Sequence, residues 1–198
     1  MSSVLTRRGM IAASLCAMAH PALALPRPYA LVMRQSSIVF EFILNGIAQR
    51  GTVPVGTADI RVDPQRLRAS TADVTADVSQ ARTGVIFMTQ ALLGKDVLDA
   101  DSHPTVRFQS TNIRLGEKGR ISEGAEIDGM LTLRGQTHPI TLGAMITRPA
   151  GTVPDALDRL SVHLTGQISR SRFGASGYPG LVDDRVALDI RAELQAIG

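Results

Sequence analysis

Few residues in this 198-residue chain could do covalent or metal chemistry, and their spacing argues against it. Histidines stand at His20, His103, His138 and His163. No two have the i, i+4 spacing of a helical metal site, and no acid joins them in a ligand motif. Two of the three in the body of the chain precede proline, and His163 shares a face with Thr165 and Gln167. These are solvated or loop histidines. Asp96, Asp99 and Asp101 cluster in sequence, as do Asp183 and Asp184. Such short-range groups cap turns and solvate loops more readily than they form a general acid–base dyad. Serines are plentiful, but no Gly-x-Ser-x-Gly elbow holds one. Gly174-Ala175-Ser176-Gly177 lacks the strand-to-helix setting of a phosphate loop. The sole cysteine is Cys16. No enzyme, metal centre or cofactor is expected.

What would position side chains is a series of short alternating strands. The stretch Ile127–Leu142 sets Ile127, Gly129, Leu131 and Leu133 on one face and Asp128, Met130, Thr132 and Arg134 on the other. Successive side chains of a strand point to opposite faces, so this is a half-buried strand. Arg134-Gly135-Gln136 supplies a turn, and Thr137–Leu142 resumes the pattern. Pro139, without an amide donor, belongs at a strand start, an edge or a bulge. The same alternation runs through Ile38, Phe40 and Phe42; Ala58, Ile60 and Val62; Val74, Ala76 and Val78; Val106 and Phe108; Val162, Leu164 and Ile168; and Val186 to Leu194. Asn45–Thr57, with three glycines and a proline, predicts a turn and a short or bulged strand. Only Phe87–Asp99 has helical spacing, and Gly94 divides it into two helical turns. Residues 148–158 read as an exposed loop. Seven or eight such strands predict a closed antiparallel barrel or a sandwich, between which periodicity does not choose.

The N-terminus has a different character. Arg7-Arg8 precedes an uncharged, mostly apolar run, Gly9–Ala19, and then Ala22-Leu23-Ala24. That is the layout of a cleaved secretory signal; the paired arginines suggest the twin-arginine route, and an ordinary Sec signal is the alternative. A signal over residues 1–24 would place residues 25–198 in the periplasm as a single domain. Cys16 would leave with the signal; a lipoprotein anchor wants a small residue before the cysteine, and Leu15 stands there. Losing two arginines and no acids takes the formal charge from +3 to +1. The remaining charges are interspersed, without basic runs, so nucleic-acid binding is not expected.

Four blocks resemble the YceI-like family of lipocalin-like bacterial barrels. They are Thr83-Gly84, His103–Thr111, the hairpin from Gly129 to Leu142, and Arg170-Ser171-Arg172-Phe173-Gly174. Their order and spacing agree from about Tyr29 to Leu194. Val97, Thr57-Ala58 and Arg172 depart from the family pattern, which bears on cavity shape rather than fold. The resemblance implies an all-β, antiparallel lipocalin-like barrel with a short helical insertion around residues 87–99. It further implies a periplasmic protein that holds a long isoprenoid chain, a polyprenyl or quinone tail, for transport, storage or sequestration. Lumen-lining candidates are Ile38, Phe40, Phe42, Phe108, Leu131, Leu133, Leu142, Val162 and Leu164. Arg170 either meets a polar or phosphorylated head group at the mouth, or pairs with an acid or caps backbone carbonyls; Phe173 either touches the chain or plugs the barrel end. Inward apolar residues suit a solid core as well as a cavity. The competing function is an interaction module that docks to a membrane partner such as a b-type cytochrome, or contacts the inner membrane, with lumen lipid incidental or absent; it predicts a dry or packed interior and an apolar surface patch.

Overall fold

The computed structural model describes residues 26–63, 65–116, 123–148, 151, 153 and 156–197. The proposed signal segment, with Cys16 and the paired arginines, lies outside the described residues, as does part of the 148–158 loop. The strands are β1 (Arg27–Leu31), β2 (Ser37–Leu44), β3 (Ile47–Val53), β4 (Val55–Val62), β5 (Thr71–Asp77), β6 (Arg82–Thr83), β7 (Thr105–Leu115), β8 (Ala125–Leu133), β9 (Gln136–Thr147), β10 (Arg159–Ser169) and β11 (Val182–Ala196). One helix, α1 (Ile86–Leu93), interrupts them.

All recorded pairings are antiparallel, and β1 hydrogen-bonds both β4 and β11, which closes the sheet. The ring is β1, β4, β5, β7, β8, β9, β10, β11, so the fold is a closed eight-stranded barrel and not a sandwich. β2 extends β1 and β3 extends β4: the long β11 pairs with β2 between Val182 and Arg191 and with β1 through Leu194, Gln195 and Ala196. The β1–β2 kink is a 3-10 turn over Met33–Gln35. It is pinned where Val32 N donates to Glu193 O at 2.7 Å and Ser36 Oγ accepts from Glu193 N. The β3–β4 break is Pro54, which cannot donate to a ladder, and a bulge follows between Val55 and Thr57.

Local signals explain the hairpins. Asn45-Gly46 and Arg134-Gly135 each have two consecutive positive φ values (50° and 76°; 51° and 71°). That is the primed turn whose twist matches antiparallel strands. Pro139 lies well inside β9, but the β9–β10 ladder covers only Gly143–Thr147, so it sits where that side of the strand is locally an edge. Gly94 ends α1 and the chain continues in turns to Ser102.

The topology gives the barrel two unlike ends. The β2–β3 and β8–β9 turns, the β5–β7 connection with α1, and the β10–β11 connection gather at one, here the helix end. At the other, Tyr29, Val62, Leu67, Leu160 and Leu194 form a buried cluster joined by Leu31, Ile60, Leu157 and Val162.

Candidate functional site

Between those ends runs an apolar lumen of about 650 Å³. Alternation builds it: each strand turns one apolar face to the axis. Of the side chains nominated from sequence, Ile38, Phe40 and Phe42 on β2 and Phe108 on β7 line it. So do Leu131 and Leu133 on β8, Leu142 on β9, Val162 and Leu164 on β10, and Arg170. Ile38, Phe40, Phe42, Val162 and Leu164 point to the axis yet remain only partly buried. Their residual surface faces the lumen, which a solid core would have covered.

Phe173 does not line the cavity. It is buried at the helix end with Leu131 and Leu133, flanked by Leu98, Val106, Phe108, Ile140 and Ile168. His138 meets its ring edge-on, with centroids 5.0 Å apart. Of the two sequence readings, the geometry is that of a plug.

Alternation also leads to lining residues absent from the nominated set, among them Val74, Ala76, Val106, Leu188 and Ile190. What sequence reasoning missed is the part played by α1. Phe87, Met88, Ala91 and Leu92 all face the lumen, so the helix lies across the opening. The available signal was composition: IFMTQALL contains no charged residue, and only Thr89 and Gln90 are polar.

Wall glycines make room for the larger rings. A Cβ added at Gly51 would fall within the Phe40 ring, and one at Gly129 would meet Phe108 and the Gln109 carbonyl. Gly166 receives Leu142 in the same way.

The few polar lining groups are engaged elsewhere. Ser36 Oγ donates to Val32 O at 3.0 Å, Ser70 Oγ accepts from Asp63 N at 3.0 Å, and Ser110 Oγ accepts from Ala72 N at 2.9 Å. The Arg61 and Arg191 side chains are mostly exposed. The serine hydroxyls are already engaged by backbone, and the remaining lining is overwhelmingly apolar.

Arg170 is the buried cation of the helix end. Its Nε donates to Asp183 O (3.0 Å), Nη1 to Ala175 O and to Gly177 O (2.8 Å), and Nη2 to Val182 O (2.9 Å). Four carbonyls of one connection converge on one guanidinium, whose fixed fork suits that task. Arg170 therefore caps carbonyls and shapes the 170–184 loop. Asp184 lies beside it and accepts from Ser171 N at 2.9 Å. Hydrogen bonds from the Ser169 and Ser171 side chains, then from the Ser171 backbone, hold the Asp184 carboxyl below its ordinary value; the Arg170 charge adds to this against partial burial. Arg134 clamps the opposite side, with Nη1 donating to Lys95 O (2.8 Å) and Val97 O (2.7 Å). Gly177 N donates to Asp96 O at 2.8 Å and ties the two loops together.

Among the described residues no group of three or more His, Cys, Asp or Glu side chains is placed to hold a metal. His163 Nε2 lies 3.1 Å from Asp189 on the outer wall, and His103 Nε2 lies 4.0 Å from Asp99.

A family model of the YceI-like domain matches residues 29–194. A UPF0312 protein of Pseudomonas putida strain W619 is 33% identical over 99 residues, covering 50% of this chain and 48% of that protein. The chain thus spans about half the length of the relatives it matches. Among solved structures, BcnA of Burkholderia cenocepacia superposes with a TM-score of 0.73 at 18% identity, over 83% of this chain and 99% of BcnA. A polyisoprenoid-binding domain from Saccharophagus degradans, implicated in plant cell wall breakdown, gives 0.59 at 12% identity, over 86% and 99%. The Campylobacter jejuni YceI protein gives 0.58 at 24%, over 72% and 81%.

Proposed function

The chain belongs to the YceI-like family, and from its lumen we propose that it is a lipid-binding protein holding one isoprenoid chain, polyprenyl or quinone-like, inside the barrel. One observation carries the reading: a continuous apolar cavity of about 650 Å³ whose inward side chains keep uncovered surface. That volume lies within the roughly 300–1,000 Å³ usual for ligand sites. An eight-stranded barrel is about the smallest that can enclose a single small ligand. A docking module without ligand would have no use for an unfilled interior. The resemblance to a polyisoprenoid-binding domain supports the ligand class.

The binding energy comes from the tail. Each buried methylene is worth about 0.8 kcal/mol, so a few isoprene units supply the roughly −8 kcal/mol of micromolar affinity. With its serine hydroxyls and Arg170 engaged by backbone, the wall selects by length and girth, and the protein binds rather than catalyses. We further propose that residues 1–24 direct export to the periplasm, where carriage, storage or sequestration of such a lipid would take place; the intact mass of exported protein should begin near Leu25.

The test is organic extraction of protein purified from cells, followed by mass spectrometry, alongside titration of the stripped protein with farnesol. Near-stoichiometric isoprenoid and saturable farnesol binding are expected. An empty extract together with no farnesol binding would overturn the reading.

A further inference from the structure

The helix end carries apolar surface that the lumen does not use. Of the exposed large apolar residues among the described ones, three also line the lumen: Phe87 (71% exposed), Tyr178 and Leu181. All three stand at this end. Ile86 beside Phe87 is 81% exposed, and Ile47 is 65% exposed. Asn45 N donates to Leu181 O at 2.8 Å, which sets the Ile47 turn next to Leu181. Exposed apolar residues elsewhere, Met145 among them, line no part of the lumen.

α1 indicates what covers this surface. α1 carries no charge and six of its eight residues are apolar, a composition usual in a core or in lipid, yet it has one side on the lumen and buries no residue fully. It carries no acidic residue in its first turn, no basic residue in its last and no N-terminal side-chain cap. Water is a poor solvent for its exposed Ile86 and Phe87, beside which Gln90 is the one exposed polar residue of the helix. Phe87 and Leu181 belong to both rim and lumen, so apolar surface runs from one into the other, and Arg170, the charged lining residue of this end, is held by four carbonyls.

We propose that the helix end docks on a lipid bilayer surface, with α1 and the facing rim at Ile47 and Leu181 immersed among acyl chains, so that the lumen opens directly into the membrane. Apolar insertion carries the contact, and it is independent of lipid charge. The proposal rests on the lumen's binding an apolar chain, and the two can fail separately.

The experiment is flotation of the whole protein with neutral phosphatidylcholine vesicles at low and high salt, paired with titration by farnesol in the absence of vesicles. The variant is Ile47→Asp/Ile86→Asp; neither side chain lines the lumen or belongs to a core. Ile47→Asp alone, outside the helix, serves as a second variant in case α1 itself is disturbed. Wild-type protein should float at both salt concentrations. The double variant should partition on the order of tenfold or more less, the scale set by withdrawing apolar side chains from hydrocarbon, with farnesol affinity unchanged. Equal flotation of variant and wild type would overturn docking by this rim. So would flotation that requires anionic lipid and vanishes at high salt. A rim lost to mouth-to-mouth dimers, seen by sedimentation as dimers that the variant abolishes and with no flotation, would overturn it too. Flotation without farnesol binding would sink the lipid-binding reading and leave the docking surface standing.

Discussion

The two ends of the barrel are closed by different physics. At one, five buried apolar residues meet across β1, β4, β10, β11 and the β4–β5 connection, and the Tyr29 hydroxyl donates to Leu157 O at 2.6 Å. At the helix end, much of the order comes from cations on carbonyls: Arg170 holds four and Arg134 two. Both ends pack apolar side chains, Tyr29 with Leu160 at one and Phe173 with Leu131 and Leu133 at the other, but the helix end adds guanidiniums that gather its loops from behind.

The largest expected effect comes from breaking the closed end. Tyr29→Ala should destabilise the ligand-free protein by about 3–5 kcal/mol, the range for deleting a large buried ring, measured by denaturant unfolding. Tyr29→Phe keeps the packing and should cost about 1 kcal/mol, the net worth of one hydrogen bond. Burial raises the Tyr29 pKa above 10.0, Asp158 adding and Arg27 opposing. Its contribution is therefore complete below pH 10 and lost as pH climbs through the higher folded value. Tyr29→Phe should remove that alkaline loss.

Arg170→Met comes next, at about 2–3 kcal/mol for carbonyls stripped of a charged donor. Here the decisive reading is location. Hydrogen exchange should accelerate across residues 171–184 and stay unchanged near Tyr29 and Leu194. Uniform acceleration would mean that the two closures are not independent.

A smaller effect is expected between the ends. Leu164→Phe projects into the lumen, so ligand-free stability should change by less than about 1 kcal/mol, against the roughly 1–3 kcal/mol of overpacking a filled core. Extracted or titrated isoprenoid chains should become shorter. Leu133, which alternation nominates equally, is a poorer probe because it already packs against Phe173.

The smallest effect belongs to the outer wall. Asp73 accepts from Arg107 Nε at 2.8 Å and from Gln109. The Arg107 hydrogen bond, outweighing desolvation, lowers its pKa below 3.8. The pair is largely exposed, so Asp73→Asn should cost no more than about 1 kcal/mol at neutral pH. A depressed carboxylate stabilises above its unfolded pKa and loses that contribution as pH falls through the folded one. The difference between wild type and variant should therefore vanish in acid, as unfolding at pH 7 and below pH 3 would reveal.

Much of this molecule was legible in its sequence because a barrel is a periodic object. The alternation at Ile38-Phe40-Phe42 or Val162-Leu164 fixes which face turns inward, and Asn45-Gly46 and Arg134-Gly135 fix where strands reverse. Closure was not legible: it depends on Tyr29 and Leu31 finding β11 more than 160 residues away, and nothing local specifies such a pairing. Filled and empty interiors read alike, since Leu133 in a packed cluster and Leu164 on a cavity wall obey one pattern. Arg170 shows a further limit. A lone arginine in a loop has many carbonyls within reach, and only the folded connection selects those of Ala175, Gly177, Val182 and Asp183. The outward side of α1 went unread because apolar helices are ordinarily assigned to cores.

The glycines at 51, 129 and 166 act on the lumen from the wall. Each lets a neighbouring ring or branched chain lie flat against the sheet, so the calibre of the tube is set partly by residues that offer no surface to a guest. An alanine at Gly51 would meet the far end of a side chain that can swing, and Phe40 would move toward the axis. At Gly129 the Gln109 carbonyl also stands in the way, and backbone yields less readily. Two barrels could therefore present the same inward residues and still accept guests of different girth, the gauge being cut in the glycines behind them.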